Sequence, residues 1–66
     1  MNQEHNPRYL TEKQVATITG FAVQTLRNWR SRGIGPTYCK VNNTAVRYPW
    51  RDVLDYMDSY RVSAQN

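Results

Sequence analysis

Thr11-Glu12-Lys13-Gln14-Val15-Ala16-Thr17-Ile18-Thr19-Gly20, followed by Phe21-Ala22 and then Val23-Gln24-Thr25-Leu26-Arg27-Asn28-Trp29-Arg30-Ser31-Arg32-Gly33, decides how this chain folds. Thr11 is a residue type that caps free backbone N–H groups. Gln14, three positions on, can reach back to complete a capping box, and Leu10 and Val15 stand where a hydrophobic staple needs them. The spacing predicts a short first helix over 12–19 with Val15, Ile18 and Thr19 on one face, ended by Gly20 in the left-handed conformation. Only two residues separate Gly20 from the next pattern, so the two helices must meet at a tight corner. The second helix is expected over 23–32. At about 100° per residue, Ala22, Leu26 and Trp29 share one arc, flanked by Thr25 and Arg30, and Gln24, Arg27, Asn28, Ser31 and Arg32 fill the opposite one.

Outward from this pair the chain changes character. Gly33 reads as the residue just past the helix, and Ile34-Gly35-Pro36 as a sharp turn. Two β-prone runs follow at 37–41 and 45–48, joined by Asn42-Asn43-Thr44, and Asn tolerates the positive φ of a tight hairpin. Pro49 suits the first turn of a helix, and Asp52 complements the positive end of its dipole. A third helix over 50–60 then carries Trp50, Val53, Leu54, Tyr56, Met57 and Tyr60 as a broad apolar stripe. Core packing accounts for most of it, and its width leaves part for another subunit. The first eight residues are polar and aperiodic and read as a flexible arm, 9–61 as one domain and 62–66 as a flexible tail. The fold class is mainly α with a small β-hairpin: helix, tight turn, helix, hairpin wing, third helix, a winged helix-turn-helix.

Sixty-six residues with 39% hydrophobic content are enough for one small domain with a thin core. No apolar run approaches the roughly 20 residues that cross a bilayer, and no basic-then-apolar leader is present. Cys39 stands alone, which excludes an intramolecular disulfide and a cysteine-built metal site. A cytoplasmic location is the expectation. His5 has no nucleophile, carboxylate or cysteine at a useful spacing, and no residue pair elsewhere has the arrangement of a nucleophile and its base. The chain therefore reads as a non-enzyme that needs no cofactor, metal or small-molecule substrate. Asp52, Asp55 and Asp58 drift around the helix surface and read as a solvated face.

The net charge is only +4, but it is concentrated. Lys13, Arg27, Arg30, Arg32, Lys40, Arg47 and Arg51 occupy 13–51 without a single Asp or Glu among them. Such a span creates a positive field over whatever surface it forms. One reading is a solvated basic face that keeps the protein soluble. The other is a polyanion partner, favoured by the preference for Arg, whose planar fork matches phosphate and guanine edges. The second helix sharpens this, because ordinary solvent-facing helices mix Glu with Lys and its outer arc holds no acid. Double-stranded DNA is the expected partner. Gln24 and Asn28, one turn apart, carry amides able to pair with adenine in the major groove. Thr25, Arg27, Arg30, Ser31 and Arg32 complete the helix surface, with the arginines able to take phosphates or an inward-facing guanine. On the wing, Lys40, Asn43, Thr44 and Arg47 are placed either for contact with an adjacent minor groove or as ordinary strand-edge polar residues.

Tyr9-Leu10-Thr11-Glu12, Gly20 to Trp29, Gly33-Ile34-Gly35-Pro36 and Arg47-Tyr48-Pro49-Trp50-Arg51-Asp52-Val53 together resemble the MerR-like winged helix-turn-helix of small phage excisionases and AlpA-type regulators. The resemblance spans 9–60. It implies base contacts by Gln24 and Asn28, phosphate contacts by Thr25 and Arg27, and a minor-groove contact by the wing tip at 42–44. Ala22 departs from the family, which often has a capping Ser there, and the wing tip lacks Arg. The resemblance also implies an architectural protein that binds attachment-site DNA cooperatively beside copies of itself and directs an integrase toward excision. A prophage transcriptional regulator and the DNA-recognition subunit of a packaging terminase are the alternatives. The latter is disfavoured because the chain stops at Asn66.

Overall fold

The structure, a computed structural model, describes residues 8–63. Its elements run β1 (Tyr9–Leu10), α1 (Glu12–Thr19), α2 (Val23–Arg32), β2 (Cys39–Val41), β3 (Ala45–Pro49) and α3 (Trp50–Asp58). Most of the proposed arm, and the last residues of the tail, lie outside the described residues.

The start of α1 is built as its sequence dictates. Thr11 Oγ1 accepts from the Gln14 N–H at 3.2 Å, while Gln14 Oε1 accepts from the Thr11 N–H at 2.9 Å. Leu10 and Val15, the staple pair, are both fully buried. Gly20 ends the helix at φ 85°, and its N–H donates to the Ala16 carbonyl. α2 is preceded by Ala22, which gives no side-chain cap, and followed by Gly33, again left-handed at φ 73°. Asn42 and Asn43 both have positive φ, 53° and 60°, so the hairpin turns where the Asn pair allows it.

Tyr48, Leu10, Leu26, Val15 and Val53 form the buried centre, one residue each from β3, β1, α2, α1 and α3. Fully burying a side chain of this size is worth about 1.5–3 kcal/mol. Phe21, Trp29, Val46, Trp50 and Ala16 pack around that centre half-exposed. Trp29 meets Phe21 edge-on at 4.9 Å between ring centroids and Tyr56 at 5.7 Å, which joins the α1–α2 corner to α3.

Four features differ from the pattern reading. First, the hairpin is part of a three-stranded antiparallel sheet ordered β1-β3-β2, with Tyr9 opposite Pro49 and Leu10 opposite Tyr48. The Trp50 N–H also donates to the Arg8 carbonyl at 2.8 Å, which extends this edge by one backbone bond. Second, Ile18 is not a core residue but 53% exposed. The inward face of α1 is Glu12, Val15, Ala16 and Thr19, and Ile18 stands roughly 110° from the middle of that arc at about 100° per residue. Third, β2 starts at Cys39, two residues later than the β-prone run. Fourth, α3 ends at Asp58, and of its apolar stripe only Val53 is fully buried. Trp50 and Tyr56 are half-buried, while Leu54, Met57 and Tyr60 are exposed. Two helices meeting at a tight turn, a two-stranded wing and a third helix make this a winged helix-turn-helix, with β1 as an added strand.

Candidate nucleic-acid interface

α2 presents its outer arc to solvent. Gln24, Arg27, Asn28, Ser31 and Arg32 are all exposed and lie side by side, as the helical spacing predicted. The two amides are already paired: Gln24 Nε2 donates to Asn28 Oδ1 at 3.1 Å. This leaves the Gln24 carbonyl oxygen and the Asn28 NH2 group unused, an acceptor and a donor one turn apart at the helix surface. Ser31 and Arg32 close the last turn, where Arg32 also complements the negative end of the helix dipole.

Two of the expected residues sit differently. Thr25 is half-buried at the margin of the arc. Arg30, expected beside the DNA-facing residues, turns inward. Only 17% of its side chain is exposed. Nη1 donates to the Tyr48 hydroxyl at 2.8 Å and Nη2 to Glu12 Oε1 at 3.1 Å. Its guanidinium carbon lies 5.7 Å from the centre of the Tyr38 ring and 6.0 Å from that of Tyr48. The cause is the position of Arg30 at the boundary of the arc: it can reach a buried hydroxyl, a carboxylate and two aromatic faces, and these hold it more firmly than water does. Arg30 is therefore a strut between α2, α1 and β3.

Glu12 is the carboxylate that sequence periodicity placed on another helix and that the fold brings to α2. Arg27 Nη2 donates to Glu12 Oε2 at 2.7 Å, and Arg27 Nε donates to both carboxylate oxygens at 3.2 and 3.3 Å. Hydrogen bonds from Arg27 and then Arg30 hold the Glu12 carboxyl below its ordinary value of 4.5, against a partial burial that works the other way. The same bond raises Arg27. For Arg30, burial alone pulls downward, but the bonds to Tyr48 and Glu12 outweigh it and the net shift is upward.

Because the folded carboxyl titrates below the unfolded one, the stabilisation it provides is complete above the unfolded value. It is lost as pH falls through the folded one. Thermal melts of the wild type are thus expected to fall more steeply below about pH 4.5 than those of Glu12→Gln, with the two parallel between pH 6 and 8. Parallel curves across the acid range would remove the ion pair from the stability balance.

Between the start of α1, α2 and the wing lies a groove of about 440 Å³, lined by Thr11, Glu12, Lys13, Arg27, Arg30, Thr44 of the wing tip and Ala45, Val46 and Arg47 of β3. Lys13 and Glu12 were not among the residues singled out by pattern. A signal for Lys13 existed: a cation in the first turn of a helix opposes the dipole, so another interaction has to favour it there. On the wing, Lys40 pairs with Val46 and Arg47 with Cys39. Residues directly opposite one another share a face, so the two cations project from opposite faces of the ribbon. Asn43 and Thr44 are exposed at its tip, and the Thr44 N–H donates to the Val41 carbonyl. Among the described residues, no group of three or more His, Cys, Asp or Glu could hold a metal ion, and no helix is long and apolar enough to cross a membrane.

Comparison with curated proteins and with solved structures gives no match. A family model described as a helix-turn-helix domain matches residues 9–61, from the first residue of β1 to just past α3. The match takes in both helices of the corner, the wing and the packing helix behind them, and so the chain belongs to the helix-turn-helix domain family and is a DNA-binding helix-turn-helix protein.

Proposed function

We propose that this protein is a phage-type excisionase: an architectural DNA-binding protein that recognises attachment-site DNA, acts beside neighbouring copies of itself and directs an integrase toward excision. The observation that carries the DNA-reading part is the uninterrupted exposed arc of Gln24, Arg27, Asn28, Ser31 and Arg32 on α2. In this reading α2 lies in the major groove. Gln24 and Asn28 exchange their mutual hydrogen bond for the edge of a base, with adenine the natural match for an amide. Arg27 and Arg32 take phosphates, and Thr25 at the margin adds a hydroxyl. The wing straddles the sugar-phosphate wall of the adjacent minor groove with Lys40 on one face, Arg47 on the other and Asn43 and Thr44 at the tip. Arg30 serves the fold.

The excisionase part draws on the resemblance of the Thr25-Leu26-Arg27-Asn28-Trp29 stretch and of the Trp50-Arg51-Asp52-Val53 entry to α3. The exposed Leu54, Met57 and Tyr60 support it by offering an apolar surface to a protein neighbour on the duplex. Footprinting across an integrase attachment site, with and without the integrase, tests this role. Protection that extends over adjacent sites and strengthens with integrase is expected. Protection confined to a promoter, indifferent to integrase, would make the protein a transcriptional regulator instead.

Base reading is tested separately. Gln24→Ala and Asn28→Ala should each lower discrimination between a selected duplex and a scrambled one by about 1–3 kcal/mol, with melting unchanged because both side chains are exposed. An unchanged preference in both variants would remove α2 as the reader.

A further inference from the structure

Glu12 is the one carboxylate lining a groove whose other charged side chains are Lys13, Arg27, Arg30 and Arg47. It does not sit passively among them. Both its oxygens are engaged, three contacts going to Arg27 and one to Arg30. The two arginines differ in freedom. Arg30 is further fixed by Tyr48, whereas Arg27 is 54% exposed and has Glu12 as its only side-chain partner among the described residues. A phosphodiester presents the same paired oxygens to a guanidinium as a carboxylate does.

We propose that Glu12 is a specificity-determining residue of the DNA groove: it occupies Arg27 in place of a phosphate and yields it only to a duplex that seats α2 closely enough to compete. The inference rests on the DNA-binding reading above. A randomly placed strand meets a groove in which Arg27 and Arg30 are already paired and one negative charge opposes it. A duplex whose bases engage Gln24 and Asn28 holds a phosphate beside Arg27 long enough for the exchange. Glu12 acts through Arg27 and is thus a positioning residue that need not touch DNA.

The test compares wild type, E12Q, E12Q/R27A, R27A and D55N on two 20-base-pair duplexes, one enriched from a randomised library by the wild type and one scrambled. With Gln at 12, Arg27 is released to any phosphate. E12Q should bind the scrambled duplex several-fold more tightly, with the slope of log K against log salt steeper by about 0.9, one additional phosphate contact. Its preference for the selected duplex should fall several-fold. The steepening should vanish when R27A is the background. D55N removes the same charge from the exposed surface of α3, outside the groove lining, and should leave slope and preference alone.

An E12Q protein with wild-type preference and slope overturns the inference, as does a D55N protein that reproduces the E12Q effects, since net charge would then explain them. Should E12Q fail to fold, the wild type carries the test by NMR. The Arg27 Nε–H should be protected in the free protein, remain so with scrambled duplex and shift with the selected one. A signal that exchanges freely without DNA, or that the selected duplex leaves unmoved, overturns the proposal. A wild type that binds neither duplex at low salt overturns the DNA-binding reading itself, whereas binding with an indifferent E12Q overturns the role of Glu12 alone.

Discussion

Gly35→Ala is expected to destabilise the domain by about 2–5 kcal/mol, a melting temperature lower by at least about 8 °C for a chain of this size. Two costs combine. Gly35 has φ +90°, a conformation that costs a residue with a Cβ about 1–2 kcal/mol. The added Cβ would also stand 2.9 Å from Trp29 Cε3 and 3.0 Å from Trp29 Cβ. Trp29 cannot step aside, because Phe21 meets its ring edge-on and Tyr56 packs against it. Relieving such an overlap typically adds about 1–3 kcal/mol. Gly20→Ala separates the two contributions. Its φ is +85°, but a Cβ there has nothing within 4 Å, so only the backbone cost applies and about 1–2 kcal/mol is expected. Equal losses at the two glycines would show that the ring does not press on the Gly35 turn.

Trp29→Ala should cost about 3 kcal/mol, the low end for a large aromatic because the side chain is half-exposed and not sealed inside. The loss comes from contacts with Phe21 at the helix corner, Tyr56 on α3 and the backbone of the turn at Gly35. DNA affinity should fall with stability at 25 °C and recover on cooling, since the exposed arc of α2 lies opposite. A variant that melts like the wild type would place the indole outside the packing and shift the phase of α2. Trp29→Phe should retain most of the stability, because an aromatic face still meets Phe21 and Tyr56.

What the sequence made legible was local. The capping box at Thr11 and Gln14, the left-handed Gly20 and Gly33, the Asn42-Asn43 turn and the exposed arc of α2 each depend on residues within a few positions of one another, so short-range rules reach them. The misses are contacts between distant segments. Tyr9-Leu10 is too short to show alternation and becomes a strand only because β3 offers it partners. Arg30 stood one step outside the polar arc, and nothing in its neighbours announced the Tyr48 hydroxyl. Ile18 fitted the helical period as well as Ala16 did, but it is Ala16 that packs, beside Val15, against the buried centre supplied by distant segments, and Ile18 is left exposed. The candidate site follows the same division. Its α2 residues could be read from period and residue type, whereas Glu12 and Lys13 join it only through the α1–α2 corner.

The pairing of Tyr9 with Pro49 and Leu10 with Tyr48 also bears on how the chain reaches this structure. These contacts close a loop of about forty residues in a sixty-six-residue protein. The entropy of that closure must be met before the pairing stabilises anything. In chain order β3 follows α2 by a dozen residues, so the two helices of the corner are made before the Tyr48 side chain that completes their shared core. Assembly is consequently governed by the arrival of the third strand, and refolding should be slower than the helical content alone implies.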